Sequence, residues 1–331
     1  MEDGVAQPQR FPERPQLKPW YRLAEAEDRV VLEYGQAVVV FEGGAARTLL
    51  PPLLPLLDGS RTVSAIVGLL GEPARPAIEN ALALLSDHGL LTEGPSLAGK
   101  ASEDGRAAAE FLAALSRERR PAARVRDRLR KARVGVAGTA GVADEVARLL
   151  LRSGLEDLRR LDWSDEAPYG LDLVLACPSG EELPLLELWN RIMLKAEQPW
   201  FQVLPYDGRF APVGPLYLPE QTSCYQCYRL RRASILDYPA EYWLLEEQPA
   251  PYPSPPSVAS AIAGLASTLA LRWLLDGDIL VPARLYALEL GSSASLTTHY
   301  VHRVPRCPEC SGLAGHAPPL PWFKELAAVS G

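Results

Sequence analysis

Two Cys-x-x-Cys pairs constrain this chain more than any other feature. The first is Cys224 and Cys227 in QTSCYQCYRLRR, and the second is Cys307 and Cys310 in VPRCPECSG. Four of the five cysteines thus fall in two close pairs, which is unlike a secreted disulfide framework. In a reducing compartment such pairs read as metal ligands or as redox dithiols. The fifth, Cys177, sits in the apolar run LDLVLACPSG and reads as a buried small hydrophobe rather than a nucleophile.

A chain of 331 residues, 47% of them apolar, can bury more than one core, so two domains are expected. No apolar run is expected to reach the roughly 18 residues that a bilayer span needs. The opening MEDGVAQPQRFPERP has neither a basic n-region nor an apolar h-region. The expectation is a cytoplasmic chain with no membrane partner. A formal net charge of −7 argues against a dedicated nucleic-acid partner.

Residues 21–42 hold three short β-prone runs, YRLAEA, RVVLEY and AVVVFEG, separated by turn signals, as in a small antiparallel sheet. Residues 45–91 then read as three helices. The first contains Pro51, Pro52 and Pro55 and must be kinked or broken. The second has Thr62 as its N-cap and stops at Gly71, and the third runs from Pro76 to Gly89. Three strands with three helices have a winged-helix look, and such domains most often bind DNA. The third helix, however, offers Glu79, Asn80 and Asp87 and no Lys or Arg between Pro76 and His88, and a DNA-reading helix needs cations. The other use of this surface is to add a peptide as an extra strand on an open sheet edge. The edge would be Val38, Val39, Val40, Phe41 and Glu42, flanked by Ile78, Leu82 and Leu85 of the third helix. The plain alternative is that these apolar side chains are core.

The succession LKPWYRLAEAEDRVVLEYGQAVVVFEG, LLPLLDGSRTVSAIVGLL and ALALLSDHGLLTEG resembles the PqqD-like leader-recognition domain of systems that modify ribosomally made peptides. In that family a precursor's leader pairs with the third strand and lies against the third helix. The resemblance implies a domain over 17–95 after a flexible tail, 1–16. Residues 96–131 read as a basic helical linker, since 117–133 carry nine Lys or Arg against two acids.

The next block opens with ARVGVAGTAGVADEVARLLLRSGLEDLRRLDWSD. A strand over 133–137, a glycine turn, a helix stopping at Gly154 and a strand ending on Asp162 form the start of a dinucleotide-binding βαβ unit. Against the pattern G-x-G-x-x-G this turn reads G-T-A-G-V-A, so Gly138 and Gly141 remain and the rest is altered. With YLPEQTSCYQCYRL and THYVHRVPRCPECSG behind it, the block 132–312 resembles the ThiF/MoeB-like adenylating proteins, with 313–331 as a C-terminal tail. The resemblance implies one structural zinc on Cys224, Cys227, Cys307 and Cys310, and a homodimer. Four thiolates give a closed tetrahedral site with no place for water, a staple rather than a catalyst. Active members also need an arginine and a lysine after the ribose-binding acid. Here Asp162 is followed by WSDEAPYGLDLVLACPSG, and that cationic segment is absent. Nucleotidyl transfer without it lacks its largest electrostatic contribution. Gly138, Gly141 and Asp162 are therefore read as a vestigial nucleotide site, with no ATP bound and no catalytic residue.

The fold expected is α/β: a winged-helix-like domain of three strands and three helices, then a degenerate Rossmann-like ThiF/MoeB-type domain with a four-cysteine zinc site. The fusion resembles the ThiF-like component of azoline-forming cyclodehydratases, which works with a separate YcaO ATPase. The resemblance implies that this chain captures a precursor's leader and presents its Cys, Ser or Thr residues to that partner. Two other readings stay open, an adenylating enzyme acting on a peptide carboxylate and a zinc-containing DNA-binding regulator.

Overall fold

The computed structural model divides into two compact units, residues 1–130 with 152–154, and residues 131–151 with 155–331. The structure describes residues 10–18, 20–26, 29–35, 37–95, 102–116, 120–139, 141–163, 166, 168–249, 253, 255–291 and 294–311. The C-terminal tail expected at 313–331 lies outside the described residues, as do residues 1–9.

In the first unit β1 (Pro15–Leu17) precedes a meander of β2 (Tyr21–Glu25), β3 (Arg29–Tyr34) and β4 (Ala37–Glu42). The meander is antiparallel throughout, with Leu23 opposite Leu32 and Leu32 opposite Val39. Side chains alternate along a strand, so this register turns Val30, Leu32, Val39 and Phe41 toward one core and Val38 and Val40 away from it. Helices α1 (Gly44–Leu53), α2 (Val63–Leu70) and α3 (Arg75–Asp87) supply the rest of that core through Leu50, Leu53, Ile66, Val67, Ile78, Leu82 and Leu85. α1 continues through Pro51 and Pro52 and gives way to a 3₁₀ turn at Leu54–Leu56, where Pro55 sits. Thr62 caps α2 by accepting from the Ala65 N–H at 3.3 Å.

A short strand after α3, β5 (Leu91–Glu93), pairs antiparallel with β1. This pairing moves the domain's start ahead of the expected tail boundary at residue 16. The Glu93 carboxylate accepts the Glu13 and Arg14 N–H groups at 2.9 and 2.7 Å, and Gly94 donates to the Arg14 carbonyl at 2.8 Å. Gly59 explains the LLDGS phrase: at φ +75° its backbone lies so close to Gly94 that an added Cβ would come within 2.8 Å of the Gly94 Cα. The expected linker is likewise more than a linker. Capped by Ser102, α4 (Glu103–Leu115) buries Ala109, Leu112 and Ala113, and the Thr92 hydroxyl reaches the Ala113 carbonyl at 3.4 Å. A second helix, α5 (Ala122–Lys131), buries Val125 and Leu129 beneath its basic face.

The second unit is built on a seven-stranded sheet. Its first half is β6 (Arg133–Ala137), α6 (Val142–Arg152), β7 (Asp157–Leu161), β8 (Leu173–Ala176), α7 (Leu185–Lys195) and β9 (Trp200–Val203). Its second half is β10 (Phe210–Tyr217), α8 (Tyr225–Ala233), α9 (Pro239–Glu246), α10 (Pro256–Asp276), β11 (Arg284–Glu289) and β12 (Ser295–Tyr300). The strand order is β12-β11-β10-β9-β8-β6-β7, parallel from β9 to β7 and antiparallel beyond β9. The four-residue runs LVLA and WFQV are buried throughout, the signature of strands covered on both faces.

α10 is long and apolar enough to cross a membrane by length and composition. The apolar-run criterion missed it because polar residues punctuate the sequence. Ile262, Ala263, Ala266, Leu269, Ala270 and Leu275 of this helix are buried within the protein. It stops at Gly277, left-handed at φ 58°, whose N–H reaches the Trp273 carbonyl at 2.8 Å.

Candidate functional site

The two cysteine pairs meet in the second unit. Cys224 is the N-cap of α8 and Cys227 lies in its first turn, so positive helix-end amides sit beside both sulfurs. Separations of 3.9 Å for Cys224 to Cys227, 3.6 Å for Cys224 to Cys307 and 3.5 Å for Cys227 to Cys310 place all four sulfurs in one cluster within 4.8 Å. Four sulfurs bonded to one zinc at about 2.3 Å sit about 3.8 Å apart in a tetrahedron, so this donor set fits that ion. Cys224, Cys227 and Cys307 are buried against Leu194, Leu230 and Val304. The Val304 N–H donates to the Cys227 sulfur at 3.3 Å. Arg231 grips the carbonyls of His302 and Arg303 at 3.0 and 3.2 Å, while Arg303 reaches the carbonyls of Glu220 and Cys310. Hydrogen bonding among the sulfurs, from Cys224 first, draws the Cys310 thiol down to about 7. Bound there, zinc would hold the start of α8 to the segment after β12.

The nucleotide-site residues lie at the carboxyl ends of the parallel strands. β7 lies on one side of β6 and β8 on the other, which makes the β6–β8 boundary a topological switch point. Gly138 leaves β6 at φ +123°, and a Cβ there would lie 2.0 Å from the Cys177 carbonyl oxygen. Gly141 is left-handed at φ +58° in the same turn, and Asp162 is exposed just after β7. Two further groups, missed in the sequence, occupy this crevice. Arg160 donates to the Gly138 carbonyl at 2.6 Å and pairs with Asp144 at 3.0 Å. Glu182, only 8% exposed, accepts the Ser179 N–H at 2.8 Å and hydrogen bonds from the Thr139 hydroxyl and N–H. Burial alone would raise the pKa of Glu182, but these donors outweigh it and hold the carboxyl below its ordinary value. The signal that would have found it is Ser179-x-x-Glu182, a capping box ahead of α7. Burial pushes the Cys177 thiol well above its ordinary pKa, which leaves no thiolate nucleophile at the strand end.

In the first unit, β4 is an edge strand, and among the described residues nothing pairs with its outer side. Val38 and Val40 are 62% and 45% exposed, and Glu42 is exposed as well. Val39 and Phe41 point the other way, into or against the core. The expected helix contacts require correction. Ile78, Leu82 and Leu85 are each 0% exposed and form core, because they are the apolar stripe of α3 that packs with α1 into the domain's interior. On α3 the exposed large apolar side chain is Leu84.

A Rossmann-like α/β domain with a four-thiol centre, preceded by a small domain with an open sheet edge, is the class that these features define. No protein-family model matches the chain, and no curated protein matches it in sequence. Among solved structures it is similar to the heterocyclase TruD, at 23% identity and a TM-score of 0.64, over 91% of this chain and 43% of that one. It is similar to a heterocyclase solved in complex with substrate and cofactor, at 23% identity and a TM-score of 0.63, over 90% and 39% of the two chains. It is also similar to E. coli MccB, at 15% identity and a TM-score of 0.65, over 90% and 97%. The chain thus has the fold of these proteins, and it spans less than half the length of the two heterocyclases.

Proposed function

We propose that the chain is the leader-binding component of a system that makes azolines in a ribosomally made precursor peptide, and that it does not itself adenylate. The observation that carries this reading is the stretch from Asp162 to Asp172, which holds four acids, Asp162, Asp165, Glu166 and Asp172, and no Lys or Arg. Asp162, exposed just after β7, would face a triphosphate in this crevice, and the stretch behind it supplies no cation for transfer chemistry. What remains useful is capture. The outer backbone groups of β4 would pair with an extended leader, and Val38 and Val40 would contact its side chains. The four-thiol centre would hold zinc and keep the second domain rigid for docking to a separate YcaO-type ATPase. Tethering raises the core peptide's local concentration at that partner without a catalytic group in this chain. The fold shared with heterocyclases, and with MccB solved in complex with N-formylated MccA, supports a peptide substrate.

MccB, also solved with ATP, matches over nearly its whole length, and this favours a second reading as an adenylating enzyme. Fluorescence polarisation with labelled leader peptides, run beside equilibrium dialysis with magnesium ATP, separates the two. Micromolar leader binding without ATP uptake is expected. ATP uptake with pyrophosphate release on adding peptide would replace the first reading with the second.

A further inference from the structure

We infer that Glu182 is an internal anion that occupies the phosphate cradle of the nucleotide crevice and closes it. The inference rests on the non-adenylating reading and supplies a structural cause for it. In open α/β sheets a ligand binds outside the carboxyl ends of the strands at the switch point, and the turn after the first strand offers its amides to an anion. That turn is Gly138 to Gly141 here, and its Thr139 N–H and hydroxyl already donate to a carboxylate from the turn before α7. The carboxylate is not a passing surface group. Glu182 as a whole residue is more than nine-tenths buried, and the Ser179 N–H holds its carboxylate from its own side at 2.8 Å. The Glu182 N–H also bonds the Ser179 carbonyl at 3.1 Å, which fixes the turn that carries it.

Its neighbours reinforce the closure. Arg160, whose guanidinium reaches the turn, bonds the Gly138 carbonyl and Asp144, and is thus committed to the protein's own groups. Gly138 packs directly on the Cys177 carbonyl, so the turn cannot sink toward the sheet to make room. An incoming phosphate would have to displace Glu182 and would meet its negative charge at contact distance, where little water screens the repulsion.

The test compares the full-length, zinc-loaded protein with its Glu182→Ala and Glu182→Gln variants, using inorganic pyrophosphate and magnesium ATP as probes. Binding is read by calorimetry and by thermal shift, with zinc content and circular dichroism as checks on folding. Wild type is expected to bind neither probe at millimolar concentration. Glu182→Ala should bind pyrophosphate at least tenfold more tightly than the wild-type limit and gain several degrees of thermal stability from it. Glu182→Gln keeps the hydrogen-bonding shape without the charge, and should show a smaller gain even if the alanine variant does not fold. Folded variants as indifferent to both probes as wild type would overturn the inference and leave the non-adenylating reading intact. Tight ATP binding by wild type would sink both.

Discussion

Three residues of the nucleotide crevice can be tested singly. Gly138→Ala forces a Cβ against the Cys177 carbonyl at a positive φ, and should cost roughly 2–4 kcal/mol in urea unfolding. Cys177 should resist iodoacetamide at pH 8 in the folded protein and react only on unfolding, since burial holds its thiol protonated. Glu182 has a folded pKa below its unfolded one. Its contribution to stability is therefore complete above the ordinary carboxylate pKa and is lost as pH falls through the depressed value. Glu182→Gln should abolish that part of the acid dependence, measured as the difference between the two proteins' unfolding free energies from pH 7 to pH 3. At this scale the sequence was legible where a residue type has one use: Gly138 reads as a backbone position because only glycine tolerates such proximity. Glu182 was not, because a capping-box glutamate looks alike whether or not a second loop lies across it.

At the level of elements, the meander was readable to within a residue at each strand end, because β-branched runs between turn signals leave few alternatives. The binding edge was read less well. Five consecutive residues, 38–42, were assigned to one surface, although a strand's period of two sends Val39 and Phe41 inward. The stripe on α3 met the same difficulty, since an apolar face looks identical in sequence whether it lines a groove or a core. A contrast follows. Leu82→Ala should destabilise the protein by about 2–5 kcal/mol in urea unfolding. Val40→Asp should leave the unfolding midpoint nearly unchanged while weakening leader binding at least tenfold by fluorescence polarisation. Strands β1 and β5, of three residues each, carry too little periodicity to be found, and their pairing depends on Gly59 and Gly94 touching across 35 residues of chain.

For the whole molecule, the order of a small domain before a Rossmann-like one was legible, and so was the thiol centre, because paired cysteines at this spacing allow few uses. The sequence did not reveal that α4 packs as part of the first unit, since a short stripe such as Ala109, Leu112 and Ala113 looks alike on a linker helix and on a packed one. Metal removal is the test at this scale. Cys307→Ser should lose bound zinc by elemental analysis and lower the melting temperature by several degrees. The wild-type protein should lose metal progressively on acidification, because protons compete with the ion for thiolates. The thiol centre also has a consequence in time. Its halves are 83 residues apart in the chain, so at roughly 5–20 residues per second a ribosome releases the second pair about 4–17 s after the first. Throughout that interval Cys224 and Cys227 are an unfinished dithiol, open to oxidation. The nascent protein should therefore be far more sensitive to a pulse of oxidant during synthesis than the completed one, in which the late-arriving cysteines have sealed the site.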